Sequence, residues 1–259
     1  MEISVAGLRV LITAAGSGIG KVVAKRFMDE GATVHIGDVS EQLVTQAQKD
    51  IPGLSATVAD AANPVDGERL VDEAVAHMER LDCLINNSGV KGPTGPVERL
   101  DAGEWDQSID INLNGHFYVA RAAVPHLKAA GGGSIITTSS SAGRLGYPNR
   151  TPYAAAKWAL IGFSHSLAME LGLSNIRANA ILPGVVKGDR MERVLKAEAE
   201  AEGISVEEAR ERAVRSTSMR AMIDPVEIAD LAIFLSSDAG RHISGQAIGI
   251  CGNQETLAT

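Results

Sequence analysis

Tyr153 and Lys157 stand four residues apart in Tyr153-Ala154-Ala155-Ala156-Lys157. If this stretch opens a helix, the two side chains lie on one face about one turn apart, and phenol and ammonium share one space. A phenol alone is a poor acid or base at neutral pH, and a fixed cation beside it stabilises the phenolate, which makes tyrosine a usable proton carrier. The three alanines between them leave no bulk to block a ligand lying along the turn. An exposed helix start after Pro152 would show the same two residues, so the remainder of the chain decides.

A second constellation lies near the start. Gly16, Ser17, Gly18, Ile19 and Gly20 follow the apolar run Leu8 to Thr13 and precede a helical pattern from Lys21 to Glu30 that Gly31 stops. Glycines at a helix N-terminus let backbone amides approach a phosphate, where the helix dipole favours negative charge. The next strand, Thr33 to Gly37, ends at Asp38. A carboxylate there accepts hydrogen bonds from the 2′ and 3′ hydroxyls of an adenosine ribose and repels a 2′-phosphate, which favours NAD over NADP. Asp38 as N-cap of the following helix is the alternative, and Ser40 is available for that cap.

The elements that must position these residues alternate. Helices are expected at about 40–50, 64–79 and 102–129, with strands at about 54–59, 83–86 and 134–138. A helix opening near Tyr153 leads to a strand at about 178–182. Asp224 is placed as the N-cap, and Pro225 as the first residue, of another helix, and 246–250 is the last strand. Strands alternating with helices predict a parallel sheet covered on both faces. One charge-rich segment, Asp189 to Arg215, breaks the rhythm and reads as two short solvated helices interrupted at Gly203.

The chain has 259 residues, 45% hydrophobic and 22% charged, enough for a sizeable core and ordinary for a globular domain. Its net charge of -8 argues against nucleic acid or an anionic membrane as partner and leaves a small molecule as the default. Cys83 and Cys251 are far apart and lack metal-ligand spacing, as do the six histidines, so no metal is expected and the cysteines read as packing residues in a reducing compartment. No segment approaches membrane-spanning length and no leader pattern opens the chain. A cytoplasmic location is expected.

Thr13 to Gly20, Asp38, Asp60, Asn86-Asn87-Ser88-Gly89, Asn112, Ser140, Tyr153, Lys157 and Pro183-Gly184 occur in this order. In these residues, over nearly its whole length, the chain resembles the short-chain dehydrogenase/reductase family. The resemblance implies that Tyr153 is the general acid/base and that Ser140 holds the substrate oxygen. It further implies that Lys157 binds the nicotinamide ribose and stabilises the phenolate, and that Asn112 holds a relay water at a helix irregularity. Ser139 and Ser141 point to the opposite face of an extended segment and read as structural. For the cofactor, the resemblance implies that Asp60 and Ala61 meet the adenine. Asn87 and Gly89 then lie under its ribose, and the backbone of Pro183, Gly184 and Val186 meets the carboxamide.

Three departures stand out. Ala14 replaces a usual glycine, which a negative φ there would tolerate, and Ser88 replaces a usual alanine. Gly188 stands where many members have threonine, so a carboxamide-binding hydroxyl is missing. The resemblance walls the substrate pocket with residues 90–97, 144–149 and the segment from Lys187. Lys91, Arg144, Arg150, Lys187, Arg190 and Arg193 in these loops raise the expectation of an anionic substrate group. Trp158 reads as core or interface.

Together these readings predict one Rossmann-like doubly wound α/β domain over residues 1–259, with about seven parallel strands and a helical substrate-loop segment at about 187–218. The expected activity is reversible hydride transfer between NAD(H) and a secondary alcohol or ketone. A homo-oligomer, a dimer of dimers pairing through the long helices, is expected from the resemblance. The alternatives are an NADPH-dependent 3-oxoacyl-carrier-protein-type reductase and a catalytically silent NAD-binding protein.

Overall fold

A computed structural model describes residues 3–257, apart from the side chains of residues 190, 198 and 201. In chain order the elements are β1 (Arg9–Thr13), α1 (Gly18–Asp29), β2 (Thr33–Asp38), α2 (Glu41–Asp50), β3 (Ser55–Val58), α3 (Pro64–Met78) and β4 (Cys83–Asn86). The chain continues through α4 (Ala102–Ile109), α5 (Gly115–Ala129), β5 (Gly133–Thr138), α6 (Thr151–Leu171) and β6 (Ile176–Pro183). It closes with α7 (Asp189–Glu202), α8 (Val206–Val214), α9 (Pro225–Ser236) and β7 (Ala247–Ile250). The seven strands form one sheet in the order β3-β2-β1-β4-β5-β6-β7, every pair parallel.

Parallel strands buried on both faces carry continuous apolar runs, and Val10, Leu11 and Ile12 of β1 are fully buried. One face packs on α1 and α9 through Phe27, Ile36 and Ile233; the other packs on α3, α5 and α6 through Leu70, Val119, Leu127 and Leu167. After β3 the chain crosses back to the other side of β1, so strand order reverses between β1 and β4. At such a switch point the loops diverge and leave a crevice beyond the carboxyl ends of the strands.

Helix starts follow local chemistry. Ser40 Oγ accepts from the Leu43 amide at 3.3 Å, so Ser40 and not Asp38 caps α2. Asp224 and Glu227 close a reciprocal capping box around Pro225. The expected 102–129 helix is interrupted by a π-helical turn, Asp110–Asn114, between α4 and α5. β6 is longer than expected because Ile176 and Arg177 at its amino end pair with β5 and Pro183 at its carboxyl end pairs with β7.

The charged segment is a helix pair with a break at Gly203, left-handed at φ 67°. It is more than solvated charge: Leu195, Ala199 and Ala209 form a small core of their own. Arg210 Nη2 clamps both Glu192 carboxylate oxygens at 2.9 Å, joining α7 to α8.

Trp158 is not core: it is 51% exposed on α6, together with Met169 and Leu173 farther along. Cys83 is fully buried, whereas Cys251 is half-buried with its backbone against Gly184. Among the described residues no helix is long and apolar enough to cross a membrane.

Candidate active site

The switch point is locked by side chains before any ligand arrives. Thr13 Oγ1 accepts from the amides of Asn87 at 2.9 Å and Ser88 at 3.2 Å, and from Ser88 Oγ at 3.0 Å. Asn87 Nδ2 donates to the carbonyls of Thr13 at 3.3 Å and Ala14 at 3.1 Å. The Ser88 hydroxyl, absent from the usual alanine, thus strengthens the joint between the β1 and β4 loops.

Ala14 overturns one expectation: its φ is +49°, not negative. The conformation is imposed from both sides, by Asn87 on its carbonyl and by the Ala15 amide donating to Gly37 at 3.1 Å. The site tolerates this alanine at a cost, since a non-glycine residue in the left-handed region is strained by about 1–2 kcal/mol.

The cradle at the head of α1 suits a dinucleotide phosphate. Ser17 sits at the N-cap without a side-chain cap bond, and the first turn of α1 carries no acidic residue. The amides around Gly18, Ile19 and Gly20 therefore face a region with no side-chain carboxylate of their own helix. A Cβ on Gly20 would lie 2.6 Å from the Ala14 carbonyl oxygen, and one on Gly16 would lie 3.0 Å from Asp38 Oδ2. Glycine at 16 lets its amide reach that carboxylate, with N to Oδ2 at 3.0 Å. Asp38 Oδ1 accepts from the Ser40 amide at 3.0 Å, and the side chain is nearly buried. Each oxygen keeps further acceptor capacity for a sugar hydroxyl.

Asp60 follows β3, beside the end of β2, where the Ala59 amide donates to the Asp38 carbonyl at 3.0 Å. Its Oδ1 accepts from the Ala62 amide at 2.9 Å, and the Ala61 carbonyl lies against Gly115. Beyond β6, Val186 pairs with Ile223: the Val185 carbonyl accepts from Ile223 at 2.8 Å, and the Lys187 amide donates back at 2.9 Å. In such a bridge the groups of Val186 itself face the opposite edge, while the Gly184 amide is taken by Ile250 at 3.0 Å.

Lys157, buried near the start of α6, donates from Nζ to the Thr138 carbonyl at 2.9 Å and lies 5.8 Å from the centre of the Tyr153 ring. A Cβ on Gly89 would stand 3.3 Å from Lys157 Nζ and 3.1 Å from Asn112 Oδ1, so both side chains converge on that glycine. The π turn aims Asn112: its Nδ2 donates to the Ser108 carbonyl at 2.9 Å, and its Oδ1 accepts from the Val90 amide at 3.1 Å. Ser139 Oγ donates to the Lys157 carbonyl at 2.7 Å and Ser141 Oγ to Gln254 at 2.8 Å, so both serve the frame, although Ser141 opens a 3-10 turn and is not in the extended segment expected. Ser140 lies between them, its Oγ accepting from the Ala142 amide at 3.2 Å.

His116 escaped the sequence reading. It is fully buried, and its Nε2 lies 2.8 Å from the Ser88 carbonyl. A carbonyl only accepts, so Nε2 carries the proton. Burial first, and then the nearby Lys157 charge, push its pKa down to about 3. Its position four residues after Asn112, on the same helical face, was the available signal.

Among the described residues, Arg144, Lys187, Arg193 and Arg150 take separate partners or none. Arg144 turns away to the Ala247 carbonyl, Lys187 lies 3.9 Å from Asp224, and Arg193 is exposed. Arg150 instead donates to the Lys91 carbonyl at 2.6 Å and lies beside Tyr153. The Arg190 side chain falls outside the described residues. Among the described residues no group of three or more His, Cys, Asp or Glu could hold a metal ion.

A family model described as enoyl-(acyl carrier protein) reductase matches residues 13–252. The chain is 36% identical to a 3-oxoacyl-(acyl-carrier-protein) reductase of Thermotoga maritima over 93% of its length and 95% of that protein. It is 32% identical to a cyclohexanol dehydrogenase of Acinetobacter sp. (strain SE19), covering 91% and 90% of the two chains. A structure of NAD+-bound xylitol dehydrogenase superposes with a TM-score of 0.89 at 28% identity, covering 96% of this chain and 99% of that one. Sequence and fold agree over nearly the full length of each relative, and the chain belongs to the short-chain dehydrogenase/reductase family of oxidoreductases.

Proposed function

We propose that the protein is an NAD-dependent dehydrogenase/reductase that interconverts secondary alcohols and ketones, with Tyr153 as general acid/base. The observation that carries this reading is the buried Lys157 ammonium, 5.8 Å from the Tyr153 ring and sharing Gly89 with Asn112. Bound NAD supplies the two-electron acceptor for the hydride that leaves the carbinol carbon. Tyr153, as phenolate, takes the hydroxyl proton; in reduction it returns one to the carbonyl oxygen. Ser140 donates a hydrogen bond to the substrate oxygen and holds it against Tyr153. Lys157 sets its charge beside the Tyr153 ring and binds the nicotinamide ribose, and Asn112 holds a water through which the proton moves onward.

Asp38 supports NAD over NADP. A carboxylate already fixed by two amides is ready to accept ribose hydroxyls, and it repels a 2′-phosphate placed beside it. Gly16 to Gly20 cradle the diphosphate, Asp60 and Ala61 meet the adenine, Asn87 and Gly89 lie under its ribose, and Pro183, Gly184 and Val186 present backbone to the carboxamide. The α7–α8 pair, joined by the Glu192–Arg210 clamp, is the wall of the substrate side.

Exposed apolar residues on α5 and α6, Phe117, Trp158 and Met169, support pairing of copies through these helices into a homo-oligomer, a dimer of dimers. Two free thiols fit a reducing, cytoplasmic setting. Identity to an acyl-carrier-protein reductase favours a second reading, ketone reduction on a carrier. Asp38 opposes NADPH, and a net charge of -8 opposes docking an acidic carrier.

The test follows nicotinamide absorbance with NAD and then NADP across a panel of secondary alcohols and ketones. Turnover with NAD that Tyr153→Phe lowers at least about 100-fold, with NAD binding retained, is the expected result. Full activity in that variant refutes the role of Tyr153, and turnover preferring NADP refutes the role of Asp38.

A further inference from the structure

Arg150 precedes Tyr153 by three residues and stands at the N-cap of α6. Its guanidinium carbon lies 5.1 Å from the centre of the Tyr147 ring and 5.3 Å from that of Tyr153. Both distances fall within the range, about 6 Å, in which a ring face attracts a cation. The two rings meet edge to face at 6.5 Å. Two bonds tie the loop before α6 to the loop after β4: Arg150 Nη2 to the Lys91 carbonyl at 2.6 Å, and the Gly95 amide to the Asn149 carbonyl at 2.9 Å. Asn149, at φ +60°, supplies the left-handed turn that aims Arg150, a conformation asparagine adopts more readily than most residues.

A guanidinium offers five N–H donors. Among the described residues Arg150 has one acceptor, the Lys91 carbonyl; no carboxylate pairs with it, and its buried Nε has no partner. Acidic residues outnumber Lys and Arg by 32 to 24, so scarcity does not explain the missing carboxylate. The buried Nε of Arg210 is likewise unpartnered, but the Arg210 fork is spent on the Glu192 carboxylate, and that of Arg177 on the carbonyls of Leu235, Ser236 and Gly240; the Arg150 fork meets no carboxylate. The Tyr153 oxygen lies one ring radius and one C–O bond from the ring centre, which puts the Arg150 guanidinium carbon no more than about 8 Å from it. A short substrate spans that gap.

We propose that Arg150, backed by Tyr147, is the carboxylate-recognition element of the substrate pocket, and that preferred substrates are short hydroxy- or oxo-carboxylates with the anionic group a few bonds from the reacting carbon. The inference rests on the proposed role of Tyr153. It narrows the six basic loop residues named from the sequence to one whose planar fork matches a carboxylate.

The experiment compares wild type, R150M and R150K, each saturated with NAD. Calorimetry with butyrate and with butyramide, near-isosteres that differ in charge, reads the subsite without turnover. Wild type is expected to bind butyrate at least about tenfold more tightly, R150M to lose that preference, and R150K to keep part of it. In the absorbance assay the ratio of KM for 3-hydroxybutyrate to KM for 2-butanol is expected to rise about tenfold in R150M; using the ratio removes any common effect on Tyr153. If R150M no longer binds NAD, R150K carries the comparison. Equal binding of the two probes by wild type, no binding of either, or a preference that survives R150M overturns the proposal. Absence of turnover with any secondary alcohol instead refutes the reading of Tyr153, and the butyrate titration still decides the role of Arg150.

Discussion

Acid should destabilise this protein well above the pH at which its carboxylates protonate, because two histidines are buried neutral. His35 bridges β2 and β3, with Nδ1 2.9 Å from Ser55 Oγ and Nε2 3.0 Å from Thr57 Oγ1. Burial first, and then repulsion from His77, lower its pKa from 6.5 to about 4. His116 is lowered from 6.5 to about 3. With the folded pKa below the unfolded one, the stability is fully present above 6.5 and is lost as pH falls towards the folded pKa, since only the unfolded chain takes up the proton. Between pH 7.5 and 5 each histidine then removes about 2 kcal/mol, and the pair about 4 kcal/mol. Carboxylates with lowered pKa, such as Glu73 bonded to Thr57 and Arg69, begin from 4.5 or below and act at lower pH. Urea unfolding followed by circular dichroism at fixed protein concentration, from pH 7.5 to 5, measures the slope. His35→Gln, although less stable at pH 7.5, should lose only about half as much stability across this window. An unchanged slope in that variant, or a flat profile in the wild type, would refute the assignment of neutral buried histidines.

Three further outcomes are expected. Ala14→Gly should stabilise the protein by about 0.5–1 kcal/mol, since relief of left-handed strain exceeds the added freedom of the unfolded chain, and thermal melting at fixed concentration reads it. Arg177→Ala should cost about 2–4 kcal/mol in the same assay, because it strips the donor from carbonyls at the end of α9. Asp38→Ser should reduce kcat/KM with NAD at least about tenfold and raise that with NADP, as steady-state kinetics with both cofactors would show.

Much of this molecule was legible because its signals are local. The caps of α2 and α9, the break at Gly203 and the alternation of strands with helices each depend on a few neighbouring residues, and the structure carries them as expected. The spacing of Tyr153 and Lys157 and the glycines before α1 likewise predicted a shared helical face and an open helix start. Other features depend on residues distant in sequence. The positive φ of Ala14 is imposed by Asn87 and Gly37, and Trp158 is exposed because the α6 face that carries it is not covered within this chain. The neutrality of His116 follows from complete burial near Lys157, while Arg150 is placed beside Tyr153 by its bond to the Lys91 carbonyl and by the two tyrosine rings. A sequence determines by itself what a residue and its near neighbours can do; solvation, forced backbone conformation and the partner of a charge are set by packing, which only the tertiary structure decides.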